Sequence, residues 1–246
     1  MNRIAFIIVS FLLVISCQSK KINSDIQETK TIYTNQEGEG AEIQIQFLKG
    51  ESHNHPSFVF WIEDMDGKYI ETLFVTKSIG TGLFNYGKSE KGEWKPYQKR
   101  YPATLPYWSH KRGIISSDGL FVPDSTHQVA DGITGATPQT NFNLYAKLSD
   151  NNLRKFKVMF EINQTWDFNE YWTNNKYPDN EAYKTSCQPA LIYETLINLD
   201  DISEKYKMNV IGHAHYAGET GELFTDLSTI TTALNIAKEI TVQVKN

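Results

Sequence analysis

Cysteine is nearly missing from this chain: Cys17 and Cys187 are the two in 246 residues, too few for a disulfide-stapled scaffold. Excess positive charge is absent as well. With 24 basic against 29 acidic residues the net charge is −5, and no basic stripe runs along the sequence, which argues against a nucleic-acid partner. No apolar run reaches the ~20 residues that span a bilayer. Several catalytic signatures are also lacking: a phosphate loop, a Ser-His-Asp set with its nucleophile elbow, a haem-type Cys-x-x-Cys-His, and a second carboxylate motif to match Asp167 or Glu170 in a glycosidase. The expectation is a protein without catalytic activity of its own.

What is present begins at the N-terminus. Asn2 and Arg3 give a short basic start, Ile4 to Ile15 is almost unbroken apolar sequence, and Ser16-Cys17 follows. That order is a secretory signal. A cysteine directly after the small residue at the cut site makes it a bacterial lipoprotein signal, because the Cys17 thiol is the nucleophile that accepts the diacylglycerol. Residues 1–16 are therefore read as the signal peptide and 17–38 as the lipidated cysteine with a polar, flexible tether. Each buried methylene of the lipid stabilises membrane attachment by about 0.8 kcal/mol. Gln18 is not an acidic inner-membrane retention signal, so the expected location is the cell envelope, at the outer membrane. Cys187 is left as a lone thiol, expected to be buried.

Residues 39–246 are long enough for one domain with a real core. Their apolar periodicity is mostly two. Ala41, Ile43, Ile45 and Phe47 alternate with polar residues, as do Phe156, Val158, Phe160 and Ile162, and Ile240, Val242 and Val244. Phe58–Ile62 is continuously apolar, as a central strand is, and Asp64-Met65-Asp66-Gly67 turns it into a strand over 69–76. Further strands are expected over 142–148, 191–197 and 208–212, which makes eight. Asp226–Lys238 reads as a single short helix with Asp226 as its cap. The fold class is then an all-β, antiparallel β-sandwich with long loops and one C-terminal helix. Two irregular insertions, 79–130 and 164–189, are rich in Trp, Tyr and Pro, and loops of that length are usually functional.

Three constellations carry chemistry. Asp131-Gly132-Ile133-Thr134-Gly135-Ala136-Thr137 resembles the acceptor pattern of flavin transferases: an Asp, two spacers, Ser or Thr, Gly, Ala, then the hydroxyl that keeps FMN as a phosphoester. Thr137 is the acceptor by this resemblance, with Asp131, Thr134, Gly135 and Ala136 shaping its approach; Pro138 departs mildly from the pattern. The same stretch also suits an ordinary turn. The second constellation is His53-x-His55 and His213-x-His215. Spacing of two on extended chain puts both imidazoles of a pair on one face. If the pairs meet they can bind Zn²⁺ or Cu²⁺, with Glu51, His110, His127 and Cys187 as further ligands; otherwise they are hydrogen-bonding loop residues. The third is the stretch from Trp166 to Trp172, where Trp166, Tyr171 and Trp172 either face a ligand or fill the gap between loop and sandwich.

Several stretches together resemble a family of uncharacterised predicted periplasmic proteins. They are Phe58–Asp64 with Asp66-Gly67-Lys68 and Thr72-Leu73; Leu105-Pro106-Tyr107-Trp108; Asp131 with Thr134–Thr137; Phe160-Glu161-Ile162-Asn163 with Asn169-Glu170-Tyr171; and Gln188–Tyr193. The resemblance covers roughly residues 41–197. It implies an immunoglobulin-like sandwich similar to the flagellar hook-capping domain, and an association with flavin transferases and other envelope redox proteins. It carries no catalytic residues over.

Overall fold

A computed structural model describes residues 29–245, with backbone alone for 85–90 and 94. The signal segment and Cys17 lie outside the described residues. The chain runs β1 (Thr29–Thr34), β2 (Glu42–Lys49), β3 (Ser57–Glu63), β4 (Tyr69–Thr76), α1 (Lys77–Thr81), β5 (Leu83–Glu90), β6 (Glu93–Gln98), α2 (Pro106–Arg112), β7 (Thr134–Gly135), β8 (Asn141–Lys147), β9 (Lys155–Asn163), α3 (Glu181–Ser186), β10 (Leu191–Asn198), β11 (Tyr206–Lys207), β12 (Asn209–His213) and β13 (Ala237–Lys245). One sheet has the order β1-β8-β2-β13-β11 and the other β12-β10-β9-β3-β4-β7, while β5 and β6 form a separate hairpin.

The sandwich follows from the alternation. Inward-facing Ile43, Ile45 and Phe47 of β2 and Phe142, Leu144 and Ala146 of β8 are wholly buried against Phe58, Phe60 and Ile62 of β3 and Phe156, Val158 and Phe160 of β9. Phenylalanine dominates this core. Phe60 stacks on Phe160 at 4.3 Å between centroids and Phe47 on Phe142 at 4.8 Å, and such pairs add about 0.5–1.5 kcal/mol each beyond area burial. The turn at 64–67 forms as its residues require. Asp64 Oδ1 accepts the N–H groups of Asp66 and Lys68 at 2.9 Å, and Gly67 takes φ +80°.

All eight expected strands form, as β2, β3, β4, β8, β9, β10, β12 and β13. Four expectations need correction. The sandwich is not purely antiparallel: β1 pairs parallel to β8, and β7 parallel to β4. The expected tether contains β1, an edge strand whose Ile32 packs on the core while Tyr33 stacks on Tyr145 at 5.2 Å. With one inward apolar residue in six, its alternation is not visible. The segment 226–238 is not a helix; it forms a short 3₁₀ turn, Thr232–Asn235, before β13 begins. Its β-branched Thr229, Ile230, Thr231 and Thr232 disfavour helix. Its polar groups are also spent elsewhere: Asn169 Nδ2 donates to the Thr229 carbonyl, the Thr231 N–H donates to Gln188 Oε1, and the Asn235 and Ile236 carbonyls accept from Ser52 and Gly50. Lastly, neither insertion is simply irregular: 79–130 holds most of α1, the β5–β6 hairpin and α2, and 164–189 holds α3.

That insertion covers the outer face of the second sheet and makes a second core. Val59, Trp61, Val75, Met159 and Ile192 point outward from their strands into Leu105, Tyr107 and Trp108 of the α2 region. β9 is therefore buried on both faces over its C-terminal half, and Glu161, expected on a solvent face, is completely buried.

Candidate functional site

The stretch 131–139 returns from the insertion to the sandwich beside the end of β4. Asp131 opens a 3₁₀ turn, and its exposed carboxylate pairs with Lys77 Nζ at 2.7 Å, which holds the carboxyl below its usual range. Thr134-Gly135 then forms β7 against Val75 and Thr76. Glycine is required at 135: a Cβ there would meet Phe74 Cε2 at 2.9 Å, and Phe74 is buried. Ala136 is exposed. The Thr137 hydroxyl donates to the Pro56 carbonyl at 2.8 Å and lies 3.4 Å from the Thr76 hydroxyl.

These residues form one wall of a cleft of about 740 Å³. Asp131, Gly135, Ala136, Thr137 and Gln139 face Lys77, Ser78 and Thr81 of α1, with Leu83, Phe84 and Val129 completing an apolar side and His55 at the rim. The volume falls in the range of small-molecule sites, about 300–1,000 Å³, and the exposed lining surface is apolar in its larger part although most of the residues that form it carry polar side chains. α1 is pressed onto β4, because a Cβ on Gly80 would meet Val75 Cγ1 at 2.8 Å, and the Gly80 carbonyl accepts the Val129 N–H at 2.8 Å. The two sides of the cleft are thus joined by backbone. The sequence motif pointed to Thr137 but not to Lys77, Leu83, Phe84 or Val129. A Lys91-Gly92 turn, with φ +53° and +82°, was the available signal for the hairpin whose base supplies Leu83 and Phe84.

The histidines are not brought together as a metal site. Among the described residues no group of three or more His, Cys, Asp or Glu side chains can hold one ion. His53 lies edge-on to Phe47 at 5.7 Å with neither ring nitrogen partnered, and burial lowers its pKa to about 4. His55 bonds Asn54 at the rim of the cleft. His213 stacks on Phe224 at 5.4 Å and donates from Nδ1 to the Ala214 carbonyl. His215 Nδ1 accepts the Ala217 and Glu219 N–H groups, and burial lowers its pKa. His213 and His215 hydrogen-bond their own loop, whereas His53 packs on Phe47 without a ring hydrogen bond, and among the described residues the two pairs do not gather into a Zn²⁺ or Cu²⁺ site.

The aromatic stretch divides. Trp172 is buried against Tyr183, His213 and Tyr216 and donates from Nε1 to Thr229 Oγ1, so it is packing and cannot face a ligand. Trp166 and Tyr171 remain exposed. Cys187 is buried, and its thiol is pushed up by burial and by the nearby Asp167 charge.

A polar centre that sequence reasoning missed is Glu161. Its Oε1 and Oε2 accept the N–H groups of Tyr107 at 3.1 Å and Trp108 at 2.8 Å, capping α2 from the neighbouring sheet. Pro106 has no N–H to satisfy, so the carboxyl takes the next two. Burial pushes its pKa up to about 8. Met159, in the same phase as Glu161, was the sign that this face of β9 is covered.

No family model, curated protein or solved structure matches this chain.

Proposed function

We propose that this chain is an exported, lipid-anchored protein of the bacterial cell envelope, held at the outer membrane through Cys17. In this reading it serves an extracytoplasmic redox or cofactor-handling system by binding a ligand, without catalysing a reaction. One observation carries the choice of site: the Asp131–Thr137 motif, singled out from sequence alone, forms a wall of a preformed, apolar-lined cleft.

A sharper second reading is favoured by the same observation, namely that FMN is the ligand and Thr137 Oγ1 its covalent attachment point. The residues fit that group. Leu83, Phe84 and Val129 offer an apolar side for a flavin ring, Lys77 of the lining would meet a phosphoester by exchanging its Asp131 partner, and Thr137 is part of the wall. Bound there, FMN would supply reversible electron transfer, and the protein would be an electron carrier working with a flavin transferase and other envelope redox proteins. In the attachment step Thr137 Oγ1 bonds to the FMN phosphorus of FAD. The diphosphate P–O bond breaks, AMP leaves, and the hydroxyl proton passes to the transferase. For this, the Thr137 hydroxyl must release the Pro56 carbonyl, at the cost of one part-buried hydrogen bond, about 1–3 kcal/mol if the carbonyl finds no other donor. The test is the intact mass of protein exported from cells that carry a flavin transferase. Addition of one FMN, absent in Thr137→Ala, supports attachment. An unmodified mass leaves non-covalent binding, read by flavin retention during gel filtration.

A further inference from the structure

The long loop 164–189 exposes three large rings that the Thr137 cleft does not use. Trp166 is 70% exposed, Phe168 61% and Tyr171 52%. Exposed aromatics this close in sequence on an ordered loop need a partner to explain them. The loop is fixed. Trp166 holds the left-handed conformation, φ +59°, with its N–H on the Thr185 carbonyl at 3.1 Å. The Asp167 carbonyl accepts the Gln188 N–H at 2.9 Å, its carboxylate accepts the Thr232 hydroxyl, and Asn169 Oδ1 accepts the N–H groups of Tyr171 and Trp172. Trp166 and Phe168 open onto a groove of about 390 Å³ whose other lining includes Asn174, Asn175 and Lys184.

The polar groups define the occupant. Asn174 and Asn175 line the groove and are exposed, so two amides, each both donor and acceptor, are open to a ligand beside the rings. Both nearby cations are engaged: Lys184 pairs with Glu181 at 2.8 Å, and Lys176 sits 3.0 Å from the centre of the Tyr171 ring. A ligand that matches has a flat C–H face for the negative π face of Trp166, a rim of hydroxyl or acetamido groups for the amides, and no charge. Pyranose rings joined by equatorial linkages have that shape.

We propose that the Trp166–Phe168 groove is a binding site for a neutral β-1,4-linked hexopyranose chain. It is independent of the Thr137 cleft. The fixed loop keeps the entropic cost of binding low. The test titrates cellohexaose and chitohexaose into the full-length chain in detergent, read by calorimetry and tryptophan emission. Saturable heat with either is expected; chitohexaose alone marks an acetamido-sugar site and cellohexaose alone a plain glucan site. Trp166→Gly, which suits the left-handed backbone, and Phe168→Ala should each weaken binding at least ten-fold, whereas Thr137→Ala should leave it unchanged. Absence of heat with both sugars, or wild-type affinity in Trp166→Gly and Phe168→Ala, overturns the proposal.

Discussion

Replacing Glu161 by glutamine tests whether a carboxyl can sit uncharged in the second core and set the pH dependence of folding. Its pKa is raised from 4.5 to about 8 by complete burial. The folded state therefore holds a proton that the unfolded state releases, so the stabilisation is full below 4.5 and is lost as pH rises through about 8. Between these limits stability falls by about 1.4 kcal/mol per pH unit, roughly 3–4 kcal/mol from pH 5 to 8. Glutamine cannot titrate. It keeps one carbonyl oxygen for the Tyr107 or Trp108 N–H and leaves the other unsatisfied, which costs about 1–3 kcal/mol. Urea unfolding at pH 5, 6, 7 and 8 should show Glu161→Gln weaker than wild type at pH 5, with the gap closing or reversing by pH 8. Glu63 is also raised by burial and adds slope of the same sign, but it is present in both proteins and cancels in the difference. A wild-type minus variant difference that stays constant across this range would refute the reasoning.

The remaining predictions are local. Gly135→Ala should destabilise by about 1–3 kcal/mol through overpacking on Phe74, measured as a lower urea midpoint. His53→Phe should remove an acid-labile contribution: with a folded pKa near 4 against 6.5 unfolded, stability is present above 6.5 and lost as pH falls, by roughly 2 kcal/mol at pH 5, so the variant should outlast wild type in acid but not at pH 8. Cys187 should resist iodoacetamide in the native protein and label fully in urea; rapid native labelling would contradict its burial. Cys17→Ser should abolish incorporation of labelled fatty acid and release the protein from membranes.

Legibility followed the physics of each element. Strands that bury one face, such as β2 and β13, declare themselves by alternation, and the continuous Phe58–Ile62 run announced a strand covered on both sides. β1 was unreadable because, of its two inward residues Ile32 and Thr34, only Ile32 is apolar. The expected C-terminal helix failed because a 3.6-residue apolar pattern at Leu227, Ile230, Leu234 and Ala237 also suits a chain draped over the end of a sandwich, where Gln188 and Asn169 claim its backbone groups. Of the site residues, Thr137 and its neighbours were legible as a motif, while the opposite wall at Lys77, Leu83 and Phe84 depends on long-range packing. The His-x-His pairs show the converse. Spacing of two does bring His213 and His215 to one ring, Phe224, but His55 takes φ +52° in a turn, so His53 and His55 share no extended face, and nothing local states that the two pairs lie apart. Glu161 was misread because alternation reports which face a residue is on, not whether another layer covers it.

The most direct test of the Thr137 cleft as the seat of a flavin is mass spectrometry of the protein exported alongside a flavin transferase, under denaturing and then native conditions. The account predicts one FMN that survives denaturation in wild type and is absent from Thr137→Ala. Unmodified mass under both conditions, with no flavin retained in the native spectrum, would contradict it.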